Sequence, residues 1–253
     1  MPNLEGLKEV DIDCQICTQA KMVRLPSKGP LADPPDTLDS IEGDIFEISP
    51  KGYDKSSFVL FFVDRNTRYR WAFLLTNKQG STVFKTVKAF FKGFKTQYNR
   101  YPKRLFYDGG KEINSTLENW LSAKGIDFVT SSPYVHEQNG LIERSVRVLV
   151  ERVRATIIGS DLPKYLWCFI LPAVLELINN AAVTNKDFTP YQALMDDLKP
   201  GFDNVPDLGR YRIIGAPCDV LIPPKKRSKS RKLASKTEPG RLLAVLSLRT
   251  FLV

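Results

Sequence analysis

The sequence predicts an α/β fold in which a mixed sheet, built from an antiparallel hairpin and parallel strands, is flanked by helices. Two β-prone runs, 58–63 and 69–75, are joined by the short polar segment 64–68, which favours an antiparallel hairpin. Apolar residues in 81–98 recur at steps of three and four, as on the buried face of a helix. Hydrophobic residues make up 43% of the 253 residues, enough for a substantial core, so wholesale disorder is excluded.

The remaining elements complete the order β-β-β-α-β-α-β-α. Besides the hairpin and the first helix, the patterns predict strands at 40–48, 104–108 and 126–130, and helices from Ser115 to just before Gly125, at 139–158, and at 164–180 with an interruption near Pro172. Strands one and four can be neighbours in such a sheet, with helices as the crossover connections.

Basic charge is concentrated near the end of the chain. The net charge is +9, yet 225–253 alone contributes +8 and the rest of the chain +1. The densest part is a run that contains Lys225, Lys226, Arg227, Lys229, Arg231 and Lys232. Such a run can neutralise phosphates, which predicts salt-sensitive, sequence-independent nucleic-acid binding. It is equally suited to a nuclear address, and a solvated basic linker is the remaining alternative.

Several functional classes are excluded by what the chain contains. His136 is the single histidine, which argues against a Ser-His-Asp triad or a multi-histidine metal site. The longest apolar stretch, 165–175, is too short to span a bilayer, and no apolar signal-peptide core follows the first residues. Four cysteines do not make a disulfide framework in a chain of this length, so a reducing compartment and no secretion are expected.

Three carboxylates stand where this architecture would bring acidic groups together. Asp44 lies in the first strand, Asp108 ends the fourth, and Glu143 lies in the first turn of the long helix. Converging carboxylates are hard oxygen ligands suited to Mg²⁺ or Mn²⁺, and two such ions can support phosphoryl displacement. Each residue also has a structural explanation: Asp44 as a solvated strand acid, Asp108 as part of a turn, and Glu143 as a helix-start acid.

Two motifs around these carboxylates resemble the core motifs of retroviral-type integrases, most closely those of copia-type retrotransposons. They are FYDGGKE (106–112) and SPYVHEQNGLIER (132–144), and the segments GD (43–44) and FVDRNTRYRW (62–71) resemble the first catalytic position and its hairpin. The resemblance implies an RNase H-like fold with Asp44, Asp108 and Glu143 as the Mg²⁺- or Mn²⁺-binding catalytic triad. It implies polynucleotidyl transfer, in which element DNA ends are nicked and then joined to target DNA.

The same resemblance implies DNA contacts and a multimeric assembly on DNA. The loop before the long helix, with Tyr134, Gln138 and Asn139, corresponds to a segment that touches DNA in that family. Arg144 and Arg147 follow on the helix; a phosphate contact and i, i+4 pairing with acidic residues are both open for this basic face. Departures from the motifs, at Gly109, His136 and Glu137, favour a decayed copy.

Cys14 and Cys17 resemble the second half of the family's amino-terminal zinc module. They supply two ligands where a structural zinc needs four, so zinc binding is not expected in this chain. Cys168 and Cys218 lie in apolar surroundings and are predicted to pack. The expected organisation is a remnant zinc-module segment and linker at 1–39, an RNase H-like catalytic core at 40–200, and a post-core segment with the basic arm at 201–253.

Three functional hypotheses follow. The first is the catalytic core of a copia-type integrase, acting on DNA in the nucleus, or in a cytoplasmic particle before nuclear entry, with no membrane partner. The second is a catalytically dead relic that still binds nucleic acid. The third, a nuclease for RNA–DNA hybrids, predicts cleavage without joining, and the 132–144 motif argues against it.

Overall fold

The computed structural model describes residues 36–107, 115–130, 140–183, 188–224, 235–247 and 250–252. Its strands are β1 (Ile41–Glu47), β2 (Phe58–Asp64), β3 (Arg70–Leu75), β4 (Arg104–Tyr107), β5 (Asp127–Thr130), β6 (Pro217–Leu221), β7 (Thr237–Arg241), β8 (Ala244–Ser247) and β9 (Thr250–Leu252). Its α-helices are α1 (Gly80–Tyr98), α2 (Ser115–Ser122), α3 (Gly140–Ser160), α4 (Trp167–Asn180) and α5 (Pro190–Leu198).

The main sheet has the strand order β3-β2-β1-β4-β5. β1, β2 and β3 pair antiparallel, while β4 is parallel to β1 and to β5. The predicted hairpin, the mixed sheet and the adjacency of strands one and four are all confirmed. Two smaller sheets, β6-β7 and β8-β9, follow the main sheet along the chain.

Helices cover both faces of the sheet, so each face has its own apolar core. On one face, the aromatic side of α1 packs over Phe62, and the Phe62 and Phe90 rings stack 4.9 Å apart. On the other face, α3 and α4 pack over Val59, Phe61 and Val63. The predicted buried stripe of α1 is confirmed, since Phe91 and Phe94 are buried. Strand residues in β1 alternate between these two cores, which fixes the face that each side chain meets.

The predicted interruption near Pro172 is wrong, because α4 continues through this residue. The irregular part comes earlier, as a 3-10 turn at Lys164–Leu166. Pro172 is exposed, so the side of the helix that bears the proline ring faces solvent. The neighbouring Ile170, Leu171 and Val174 are buried, and their packing offsets the one hydrogen bond that the proline cannot donate.

Helix α5 and the strands after it were not predicted. The start of α5 has a sequence signal: Thr189 Oγ1 accepts a hydrogen bond from the Gln192 amide at 3.0 Å, and Pro190 follows it at the first helical position. None of the helices in the described ranges is both long and apolar enough to cross a membrane.

The segment with β6 and β7 is attached to the carboxyl end of α3. Arg241 donates from a guanidinium nitrogen to the Ser160 carbonyl at 2.8 Å, and the Gly215 amide donates to the Leu242 carbonyl at 2.7 Å. Gly215 has φ +83°, and a Cβ there would lie 2.1 Å from the Ser160 Cβ. Only glycine satisfies both the backbone conformation and the close approach.

Candidate active site on the β1–β4 edge

Asp44 is held in the middle of β1 by unusually close packing of its neighbour. A Cβ on Gly43 would meet the Phe62 ring at 2.8 Å and the Tyr107 ring at 3.0 Å, so β1 lies tightly between β2 and β4. Asp44 itself pairs in register with Phe61 and is half-buried on the face that α3 and α4 cover. Its Oδ1 accepts a hydrogen bond from the Ile45 amide at 2.7 Å, which orients the carboxylate.

The end of β4 lies beside Asp44. The parallel register aligns Gly43 with Tyr107, the last residue of β4. Asp108 is the next residue in the sequence and lies outside the described residues. The strand that leads to it is therefore placed where the sequence predicted.

Glu143 lies in the first turn of α3 and is exposed. The residue before it, Ile142, is buried, and its amide donates to Glu42 Oε2 at 3.1 Å. Helix α3 therefore begins against β1, two residues along the strand from Asp44. The structure brings the segments that carry Asp44 and Glu143 to the same face of the sheet.

Glu42 is the site residue that the sequence did not single out. It is only 3% exposed, and its Oε1 lies 3.1 Å from Arg65 Nε. That contact lies outside hydrogen-bond geometry, so it is an electrostatic pairing. Burial raises the pKa of Glu42, whereas the Arg65 charge, the Ile142 amide and the Arg68 charge act in the opposite direction. Its local sequence carries no signal of burial, because a glutamate in a strand more often faces water.

Of the predicted DNA contacts, Arg144 and Arg147 are described. Both are exposed on α3, beyond Glu143. Neither forms an ion pair with a carboxylate of the described residues, so the alternative of i, i+4 pairing between Arg147 and Glu143 is not present there. Their guanidinium groups add positive charge to the exposed surface near the start of α3.

The other predicted site residues lie outside the described part of the chain: Cys14, Cys17, Tyr134, Gln138, Asn139, Lys225, Lys226, Arg227, Lys229, Arg231 and Lys232. Cys168 is buried among α4 residues, as predicted, and Cys218 is half-buried in β6. Within the described ranges, no three His, Cys, Asp or Glu side chains are grouped closely enough to hold a metal ion. The predicted triad includes Asp108, which lies outside those ranges.

The basic run lies between two paired strands. β6 and β7 are antiparallel, with Leu221 opposite Thr237, and the Ile222 amide donates to the Lys236 carbonyl at 2.8 Å. The segment predicted as a basic arm is therefore the connection of a hairpin that is attached to the core through Ser160.

The fold class defined by this sheet is confirmed by comparison with solved structures. The chain is similar to a chain in the cryoEM structure of the simian T-cell lymphotropic virus intasome in complex with PP2A regulatory subunit B56 gamma. The TM-score is 0.55 at 17% sequence identity, over 91% of this chain and 77% of that chain. The likeness confirms the predicted RNase H-like arrangement of a mixed sheet between helices.

The sequence of the core is similar to a known family. Residues 36–136 match the model of the family described as Integrase core domain. The chain is 27% identical over 218 residues to a Retrovirus-related Pol polyprotein from transposon RE2 of Arabidopsis thaliana, and 28% identical over 172 residues to that from transposon TNT 1-94 of Nicotiana tabacum. These alignments cover 86% and 66% of this chain but 14% and 13% of the relatives. Residues 36–136 are therefore similar to integrase core domains, and the chain is similar to part of the retrovirus-related Pol polyproteins of transposons.

Proposed function

We propose that this chain carries the catalytic core of a copia-type retrotransposon integrase and catalyses divalent-metal-dependent polynucleotidyl transfer, nicking DNA ends and joining them to target DNA. One observation carries the proposal: the first turn of α3 with Glu143 packs against β1, which bears Asp44, on one face of the sheet, and β4 ends beside the same part of β1. The similarity to the RE2 and TNT 1-94 polyproteins supports the copia subtype.

The proposed triad is Asp44, Asp108 and Glu143. The register Gly43–Tyr107 places the end of β4 at the level of Asp44, and a trans peptide keeps the next Cα within about 3.8 Å of Tyr107. The Glu42–Ile142 hydrogen bond supports the third member, because it ties the residue before Glu143 to β1.

The side chains fit a pair of Mg²⁺ or Mn²⁺ ions. Asp44 and Glu143 offer hard oxygen donors, one half-buried and one exposed, so both retain access to solvent and substrate. When bound, such ions lower the pKa of the attacking hydroxyl or water and neutralise charge at the phosphodiester. The chain's own part is to hold the carboxylates in place, since no histidine or nucleophilic side chain is required.

We further propose that positive groups hold the DNA beside the carboxylates. Arg144 and Arg147 are exposed beyond Glu143. The basic run with Lys225, Lys226, Arg227, Lys229, Arg231 and Lys232 connects β6 to β7, and the opposite end of this hairpin is anchored to the end of α3 through Arg241. Each phosphate contact would release counterions, so affinity should fall steeply with salt. The loop residues Tyr134, Gln138 and Asn139 are proposed contacts by family resemblance.

We propose that the functional form is a homo-multimer on DNA. It would act in the nucleus, or in a cytoplasmic particle before nuclear entry. The chain spans about one seventh of the RE2 polyprotein, so it is proposed as one segment of a longer product. Zinc is not part of the proposal, since Cys14 and Cys17 supply half of a ligand set.

The alternative is a nucleic-acid-binding relic without turnover. Glu137 adds a negative charge beside the proposed DNA contacts, and Gly109 stands where the family motif has asparagine. A relic should bind DNA through its basic groups whether or not Asp44 is intact.

A plasmid assay separates the two. Purified protein, supercoiled plasmid and a short duplex would be incubated with Mg²⁺ or Mn²⁺, comparing wild type with Asp44→Asn, Asp108→Asn and Glu143→Gln. Asp127→Asn, at an exposed position of β5, is the matched control. Metal-dependent nicking or joining that is lost in the three variants and kept in the control supports the proposal. Salt-sensitive binding without any metal-dependent product would contradict it and leave the relic.

A further inference from the structure

We propose that Glu42 is a positioning residue that holds the first turn of α3, and with it Glu143, against the strand that carries Asp44. The inference rests on the proposed function for its consequence in catalysis, but its structural part is independent of activity. Glu42 itself is not proposed as a metal ligand or as a group that reacts.

Glu42 accepts a hydrogen bond from the start of α3. The first amides of a helix have no partner within the helix, and the positive end of its dipole favours an anionic acceptor. Glu42 Oε2 provides that acceptor to the Ile142 amide at 3.1 Å, one hundred residues away in the chain. Both residues are 3% exposed, so water cannot readily replace the carboxylate.

Glu42 is itself kept in position by Arg65, which also contacts β4. Arg65 Nε lies 3.1 Å from Oε1, and the Arg65 guanidinium lies 5.6 Å from the centre of the Phe106 ring in β4. A buried carboxylate without such a cation would be strongly destabilising. The chain of contacts Ile142–Glu42–Arg65–Phe106 thus spans α3, β1 and β4, the three segments that bear the proposed triad.

Both Glu42 oxygens are enclosed by the protein, beside the Ile142 amide and Arg65. Oε2 accepts from the Ile142 amide, and Oε1 is enclosed beside Arg65. Asp44, two residues along the same face of β1, is half-buried and reachable. These two acidic residues on one face of β1 therefore have different proposed roles: Asp44 binds the proposed metal ions, and Glu42 fixes the helix that brings Glu143.

Changing the length of the side chain at position 42 tests the contact with the Ile142 amide. Glu42→Asp keeps the charge but withdraws the carboxylate by one methylene, so the Ile142 amide should lose its acceptor. Glu42→Gln keeps the length and an oxygen acceptor, so it should restore the contact. Glu47→Asp is the matched control, because Glu47 lies on the same strand and is exposed.

Hydrogen exchange of the Ile142 amide, measured by NMR on the full chain, should rise about tenfold in Glu42→Asp and stay near the wild-type rate in Glu42→Gln and Glu47→Asp. In the plasmid assay, kcat should fall in Glu42→Asp, with KM for DNA unchanged, and recover in Glu42→Gln. Unchanged exchange in Glu42→Asp, or equal damage by both Glu42 variants, overturns the inference. Exchange that follows the prediction in a protein without nicking activity sustains the positioning contact and contradicts only the proposed function.

Discussion

The side-chain amide of Asn179 hydrogen-bonds the main chain of Arg70 in both directions. The Arg70 amide donates to Asn179 Oδ1 at 3.0 Å, and Asn179 Nδ2 donates to the Arg70 carbonyl at 2.9 Å. Arg70 begins β3, the edge strand of the sheet, and Asn179 is a buried residue near the end of α4. The amide therefore takes the place of a neighbouring strand at this point and couples α4 to the sheet.

Replacing Asn179 with Asp should destabilise the fold. Aspartate keeps the acceptor for the Arg70 amide, but its second oxygen would face the Arg70 carbonyl, leaving two buried acceptors together. We expect the free energy of unfolding to fall by about 2 kcal/mol. Urea denaturation measures this, with Asn119→Asp at an exposed position of α2 as control. Equal stability of the two variants would show that the paired hydrogen bonds do not contribute.

Gly43→Ala tests the packing that holds Asp44. The new Cβ would meet the Phe62 and Tyr107 rings at 2.8 and 3.0 Å, so we expect a loss of about 1–3 kcal/mol in unfolding free energy. Gly93→Ala is the matched control, because a Cβ there meets nothing within 4 Å in the middle of α1. It should stabilise the protein by about 0.5–1 kcal/mol. Thermal unfolding of the pair should shift in opposite directions, and a shift in the same direction contradicts the proposed crowding.

Arg70→Met should stabilise the protein. Arg70 Nε is buried, and no hydrogen-bond acceptor for it occurs among the described residues. Burial lowers the pKa of Arg70 to about 10, with the charges of Arg152 and Arg68 acting in the same direction. Methionine has a similar length without the charge, so we expect about 1 kcal/mol more stability in urea denaturation. Arg144→Met, at an exposed position, should change it by less than about 0.5 kcal/mol. A less stable Arg70→Met protein would reveal a favourable role for the guanidinium.

The Tyr69 side chain should lower the free energy of unfolding at alkaline pH. Burial raises the pKa of Tyr69 to about 12, and the Glu176 charge adds to the effect. The folded state therefore favours the neutral phenol, and this contribution is complete below about pH 10, the ordinary tyrosine value, and lost as the pH rises toward 12. The unfolding free energy of wild type should fall between pH 10 and 12, more steeply than that of Tyr69→Phe. Parallel curves for the two proteins would rule this out.

The sequence predicted the main sheet because its elements have strong local patterns. The 64–68 connection is too short for anything but a hairpin, and the apolar steps of α1 and α3 mark their buried faces. The adjacency of β1 and β4 also followed, since parallel crossovers leave few arrangements. These features bring the segments with Asp44 and Glu143 close together without any knowledge of side-chain contacts.

The remaining features depend on contacts between distant residues. Glu42 meets Ile142 across 100 positions and Asn179 meets Arg70 across 109, and neither pair has a local sequence signature. Pro172 misled the prediction because its effect depends on which side of α4 faces solvent, a tertiary property. Local rules therefore located the candidate carboxylates but not the residues that hold their segments together.

The β6–β7 hairpin lowers the conformational entropy that the basic run would lose on binding. Its two ends are already joined by strand pairing at Leu221 and Thr237, and Arg241 anchors the hairpin to the end of α3. A segment closed at both ends has fewer conformations to surrender than a free tail of the same length. If the core binds a polyanion as proposed, the positive groups of the run would be held at a high effective concentration near it. Attachment to the core would then add to the effect of charge alone.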